Sequence, residues 1–116
     1  MSYKRGDVIS VVYHPATTGP QRITKPRPMV IISTDTYHSE RPQDVVAALV
    51  TSKVAKYKGT TDYALRDWRS AGLNVPSAVR CTLATIEQSQ LGGKVGTLSA
   101  SDLRGVETIL RRALGL

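Results

Sequence analysis

Apolar residues in this chain gather in runs that are too short for helices and rich in β-branched side chains. Val8-Ile9-Ser10-Val11-Val12, Met29-Val30-Ile31-Ile32 and Val45-Val46-Ala47-Ala48-Leu49-Val50 are each bounded by glycine, proline or a polar segment. Branching at Cβ restricts χ1 in a helix but packs well on a pleated surface. The pattern predicts a sheet of short strands.

The strand signals run Asp7–Tyr13 behind a turn at Gly6, Met29–Ser33, Val45–Val50, a short strand over Thr60–Leu65, and Ser77–Ile86. Residues 14–28 read as a loop, and 34–44 as a loop or one short helical turn. Lys56-Tyr57-Lys58-Gly59 reads as a basic loop and Gly72-Leu73-Asn74-Val75-Pro76 as a turn. Val45–Val50 is apolar throughout and expected to be buried on both faces. Ser77–Ile86 alternates instead, with Val79, Cys81 and Leu83 on one side and Arg80, Thr82 and Ala84 on the other. Gly92-Gly93 is expected to turn the chain into a last strand near Val95-Gly96-Thr97-Leu98. The C-terminus is helical: Ser99 or Ser101 can cap it, and Asp102 suits its positive end. Leu103, Val106, Ile109, Leu110, Ala113 and Leu114 form an apolar stripe, Arg111 and Arg112 occupy the last turn, and Gly115 ends the helix. These elements predict a mainly β chain, a small and strongly curved barrel with a C-terminal helix packed on it. They form a single domain over 1–116.

The 116 residues carry sixteen Lys+Arg against nine Asp+Glu, a net charge of +7. Such an excess in a small domain suits a polyanion, nucleic acid before membrane. Cys81 is the one cysteine, so no intrachain disulfide forms and a cytoplasmic location is expected. No apolar run reaches the ~20 residues that span a bilayer, so no membrane partner is expected. Arg5-Gly6-Asp7 spells an adhesion tripeptide but is better read as the turn before the first strand.

The residue types narrow the chemistry. His14 and His38 are the only histidines and no cysteine pair or carboxylate cluster accompanies them, so no metal or other cofactor is expected. No phosphate-cradling glycine loop is present, no nucleophile elbow supports a Ser/His/Asp triad, and Cys81 belongs to an apolar strand face. What remains is arginines and hydroxyls at strand ends. Arg27 stands between Pro26 and Pro28, which stiffen the backbone on both sides of its guanidinium. Thr51 and Ser52 close the third strand, and Arg80 projects from the polar side of the alternating one. Guanidinium forks match phosphate oxygens, and hydroxyls add neutral hydrogen bonds. Each residue also has an ordinary reading, as a polar strand end or a solvated cation.

Six segments in order resemble the MazF/PemK family of bacterial toxin endoribonucleases. They are Arg5-Gly6-Asp7-Val8-Ile9, Arg27-Pro28-Met29-Val30-Ile31-Ile32-Ser33, Val50-Thr51-Ser52, Ser77-Ala78-Val79-Arg80-Cys81, Leu91-Gly92-Gly93-Lys94-Val95-Gly96-Thr97-Leu98-Ser99, and the helix ending Leu114-Gly115-Leu116. The resemblance implies an SH3-like barrel with a C-terminal helix, a homodimer, and an antitoxin partner whose tail covers the site. It implies metal-independent cleavage of single-stranded RNA, in which the ribose 2′-hydroxyl attacks the adjacent phosphorus. A 2′,3′-cyclic phosphate and a 5′-hydroxyl result. Carried over residue by residue, it makes Arg27, Thr51 and Arg80 catalytic, with Thr51 and Ser52 orienting the phosphate and Arg80 near the leaving oxygen. It makes Gln21, Lys25, Ser52, Lys53, Ser77 and Thr82 the RNA-contacting set. Two departures stand out: Thr82 occupies a position where some members have aspartate, and Gly19-Pro20-Gln21 replaces a Gly-x-Glu. They keep a second function class open, a non-catalytic module of the same shape that binds RNA or inhibits a protein target such as DNA gyrase. A general nucleic-acid binder would want exposed aromatics for stacking, and the chain has no Phe and one Trp.

Overall fold

A computed structural model describes residues 3–12 and 26–116. Among these, the elements run β1 (Asp7–Val11), β2 (Arg27–Ile31), α1 (Asp35–Glu40), β3 (Asp44–Thr51), β4 (Asp62–Ala64), β5 (Ala78–Glu87), β6 (Leu91–Thr97) and α2 (Ala100–Leu114). The strands form one antiparallel sheet in the order β4-β5-β3-β2-β1-β6. The chain is mainly β with a C-terminal helix, as its apolar runs predict. The expected loop over 14–28 and the end of the first strand at Tyr13 lie largely outside the described residues.

Both faces of the sheet are covered, which explains why the apolar runs are continuous rather than alternating. Val8, Val30, Ala48, Val50 and Val79 join Val106 and Leu110 of α2 in one cluster, with Cys81 and Leu83 packed against it. Ile9, Val11, Met29, Ile31, Val45 and Ala47 form a second cluster with Ile86. Odd and even positions of β3 therefore feed different cores, as expected for that strand. The segment 34–44 contains the short helix α1, whose first turn is capped by the Thr34 hydroxyl accepting from the Tyr37 amide at 3.3 Å. Arg5-Gly6-Asp7 is a turn: Gly6 has φ +93° and donates to the Ile31 carbonyl at 2.7 Å.

Gly92 and Gly93 do not turn the chain. Both lie inside β6, because the reversal happens earlier, in the 3-10 turn Gln88–Gln90. Gly92 is needed for a close crossing instead: a Cβ there would stand 2.7 Å from the Ser10 carbonyl oxygen, where the β1–β6 register shifts.

β4 and β6 are the two ends of the sheet, and the segment after β4 lies across the open side of β6. A Cβ on Gly96 would come within 3 Å of the Ala71 backbone, and one on Gly72, at φ +84°, within 3 Å of the Val95 carbonyl carbon. Glycine on each side lets two backbones touch and covers an edge that would otherwise invite pairing. Gly96→Ala is therefore expected to lower unfolding free energy by about 2 kcal/mol through overpacking. Gly93→Ala, with nothing within 4 Å of its Cβ, serves as the control in the same urea titration.

Ser99 caps α2 by accepting from the Asp102 amide at 3.1 Å, and Gly115 ends it at φ +74°. Val106, Ile109 and Leu110 are buried and Leu103 is half-buried, but Ala113 and Leu114 are exposed. Only the first turns of the apolar stripe meet the sheet. Asp102 does more than complement the helix dipole. It is fully buried, and its carboxylate accepts from the Tyr63 hydroxyl at 2.8 Å and from the amides of Arg66 and Asp67 at 3.1 and 2.9 Å. Burial, followed by the Asp102 carboxylate, pushes the Tyr63 phenol up to about 12. An unfolded chain ionises this phenol near pH ~10, so the folded state holds the proton that the unfolded state has lost. The stability it contributes is complete below pH ~10 and falls as the pH rises toward 12. Urea denaturation at pH 9 and pH 11 is expected to show that loss, and Tyr63→Phe to shrink it.

Candidate functional site

Arg27 is the first residue of β2 and is exposed at its rim. β2 pairs with β3 through Met29↔Leu49, Val30↔Ala48 and Ile31↔Ala47. Continuing that register by two residues sets Arg27 opposite Thr51. Thr51 pairs in turn with Ala78, the first residue of β5. Directly opposed residues share a face of the sheet, so three strand ends meet at one corner. The chain enters β2, leaves β3 and enters β5 there.

A cleft of about 320 Å³ opens at this corner. Pro26, Arg27 and Pro28 form one side, Val50, Thr51, Ser52 and Lys53 its floor and rim, and Leu73, Asn74, Val75 and Ser77 the far wall. Thr51 Oγ accepts from the Lys53 amide at 3.1 Å. That bond occupies a lone pair and leaves the hydroxyl proton free to be donated into the cleft. Ser77 is buried and donates to the Val75 carbonyl at 2.9 Å, so its hydroxyl holds the far wall in shape. Among the described residues Arg27 has no ion-pair partner. Among the described residues the lining offers two cations, hydroxyls and an amide, and no carboxylate or imidazole. It suits a phosphodiester, with Leu73 and Val75 as an apolar surface for a base or ribose.

Five of the expected site residues (Arg27, Thr51, Ser52, Lys53 and Ser77) thus line one cleft. Arg80 and Thr82 do not line it. Arg80 follows Ala78 by two residues in the unbroken β4–β5 register and so stands on the same face as Thr51 and Ala78, whereas Thr82 lies where the β3–β5 register shifts. Arg80 packs its guanidinium on the Tyr57 ring, 3.7 Å from the centroid. Gln21 and Lys25 lie outside the described residues. Leu73, Asn74 and Val75 were legible only as a turn. Two apolar residues beside a glycine and a proline were the available signal that this turn walls something. Cys81 packs inward, its Sγ 3.6 Å from the Ile109 carbonyl, and burial pushes its thiol up. That environment disfavours the nucleophilic thiolate. Among the described residues no group of three or more His, Cys, Asp or Glu side chains comes together, and no helix is long and apolar enough to cross a membrane.

Solved structures share this fold. The Mycobacterium tuberculosis toxin MazF-mt6 matches at 26% identity and a TM-score of 0.72, over 97% of this chain and 98% of that one. An endoribonuclease from a mycobacterial species, solved in complex with its cognate antitoxin, matches at 21% identity and a TM-score of 0.74, over 99% and 97% of the two chains. A MazE–MazF structure from Deinococcus radiodurans matches at 17% identity and a TM-score of 0.74, over 100% and 99%. At these last two identities the likeness is one of fold. No curated protein matches the sequence. Residues 4–114 match the model of the PemK-like, MazF-like toxins of type II toxin–antitoxin systems, and the chain belongs to that family.

Proposed function

We propose that the chain is a metal-independent endoribonuclease that cuts single-stranded RNA at short sequences. The observation that carries this reading is the convergence of Arg27, Thr51, Ser52 and Lys53 on one cleft, with no carboxylate in its lining among the described residues. Attack of a ribose 2′-hydroxyl on the neighbouring phosphorus, its proton passing to solvent water, builds charge on the non-bridging oxygens. Arg27 and the Thr51 hydroxyl donate to those oxygens, and donors already in place pay no reorganisation at the moment of reaction. Arg80, on the same face one strand over, donates to the departing 5′-oxygen. The products are a 2′,3′-cyclic phosphate and a 5′-hydroxyl. The partners that accompany this reading are mRNA, a second copy of the chain in a homodimer, and a cognate antitoxin that competes for the cleft, all in the cytoplasm.

A second reading, a module of the same fold that binds RNA or a protein target without cutting, draws on one feature. Among the described residues neither a carboxylate nor an imidazole lines the cleft to take the 2′-hydroxyl proton, and position 82 is threonine. Incubating a long unstructured RNA with the protein in EDTA separates the two. The expected result is cleavage at a recurrent short sequence with cyclic phosphate ends. Intact RNA beside folded protein would overturn the nuclease reading.

A further inference from the structure

Arg80 is held in an unusual way for a strand arginine. Its cross-strand partner in the β4–β5 register is Asp62, and opposite charges at facing positions ordinarily pair. Here they do not. The Asp62 carboxylate accepts instead from the Gly59 amide at 3.0 Å, and no ion pair joins it to Arg80 among the described residues. Arg80 Nε is buried and has no hydrogen-bond partner among the described residues. A buried donor without an acceptor is destabilising, so folding stability alone does not account for this arrangement.

The guanidinium is fixed by an aromatic face instead. Tyr57 lies 3.7 Å from it, centroid to Cζ, and Lys56 Nζ stands 5.2 Å from the same centroid. The surrounding field is positive: the Tyr57 phenol is held below its ordinary range, first by Lys56 and also by Arg80 and Lys53. Lys53 also lines the cleft that holds Arg27 and Thr51, and its carbonyl accepts from the Tyr57 amide at 3.1 Å, which ties the backbone of the stacking residue to the rim of the cleft. A carboxylate would hold Arg80 and neutralise it in the same act. A ring holds it by cation–π attraction and leaves its charge and outer N–H edge for an incoming anion.

We propose that Tyr57 is a positioning residue for Arg80: its ring fixes an unneutralised guanidinium on the sheet face that carries Arg27 and Thr51, ready for the scissile phosphodiester. The inference rests on the nuclease reading above and deepens it. Tyr57 touches no reacting atom. It acts by limiting the places Arg80 can be.

The test compares Tyr57→Phe and Tyr57→Leu with the wild-type protein, each checked for an unchanged melting temperature. Tyr57→Leu is expected to lower kcat for RNA cleavage roughly tenfold to a hundredfold, the scale of a small misplacement. Its KM should stay within about twofold, and Tyr57→Phe should keep wild-type kcat. An Arg80 Nε–H resonance, assigned by its disappearance in Arg80→Lys, should be shifted upfield by the ring and return to the ordinary arginine position in Tyr57→Leu. Full activity in Tyr57→Leu would overturn the proposal. So would a Tyr57→Phe defect as large as that of Tyr57→Leu, since the hydroxyl rather than the ring would then matter. If the wild-type protein cuts no RNA, the nuclease reading fails. The resonance then judges the stack by itself, and an Arg80 signal unmoved by Tyr57→Leu overturns the positioning.

Discussion

Arg27→Ala is expected to lower kcat/KM for RNA cleavage by about a hundredfold to a thousandfold, the range seen when one preorganised donor to a developing oxyanion is removed. Arg27 is exposed at the strand rim and makes no ion pair among the described residues, so little folding stability should go with it. An unchanged urea midpoint is the companion measurement. Arg27→Lys restores the charge but not the planar fork, and it should recover only part of the loss. Thr51→Ala removes a neutral donor and releases the Lys53 amide that Thr51 now holds. Its defect should be smaller than that of Arg27→Ala and accompanied by a looser Ser52-Lys53 rim. Wild-type cleavage by Arg27→Ala would remove this cleft from the reaction.

The strands and the terminal helix were legible because their signals are local: β-branched runs for β1, β2 and β3, and period 3.6 with a serine cap for α2. Arg27 and Thr51 were legible as strand ends. Their meeting depends on the β2–β3 register, which follows from which residues each core accepts and not from any motif. Gly92-Gly93 carried a turn signal that the close crossing over Ser10 overrides. The far wall, Leu73 to Val75, was hidden because the chain between β4 and β5 is placed by long-range contacts with β6 and α2. The Tyr57–Arg80 stack spans a separation in sequence that no periodicity encodes. The apolar stripe of α2 includes Ala113 and Leu114, yet both are exposed. Periodicity shows that a helix face is apolar, not how far its partner extends.

Asp102 is the position where the sequence signal was weakest and the expected effect on stability is greatest. At the start of a helix an aspartate is ordinarily worth only about 0.3–1 kcal/mol through the macrodipole. Here its carboxylate is fully buried and satisfies the Tyr63 hydroxyl and two consecutive amides, those of Arg66 and Asp67. Those donors lie 35 to 39 residues away in sequence, so α2 and the chain after β4 are tied at a single side chain. Asp102→Ala leaves three donors facing an apolar methyl. Each stranded donor costs about 1–3 kcal/mol, less where water can follow, so a loss of about 4 kcal/mol is expected by urea denaturation. That is a large part of the ~5–15 kcal/mol that holds a typical domain together. Asp102→Asn keeps one acceptor oxygen but turns an amide NH2 toward donors, and should lose about half as much. The Ser99 cap should survive both changes, because it uses the backbone amide of Asp102 and not its carboxylate. The same segment carries Ala71 and Gly72 against β6 and ends in the far wall of the cleft. Asp102→Ala should therefore raise KM for RNA even at temperatures where the protein stays folded. A loss below about 1 kcal/mol would mean that solvent satisfies the three donors, and that the tie between helix and cleft wall runs elsewhere.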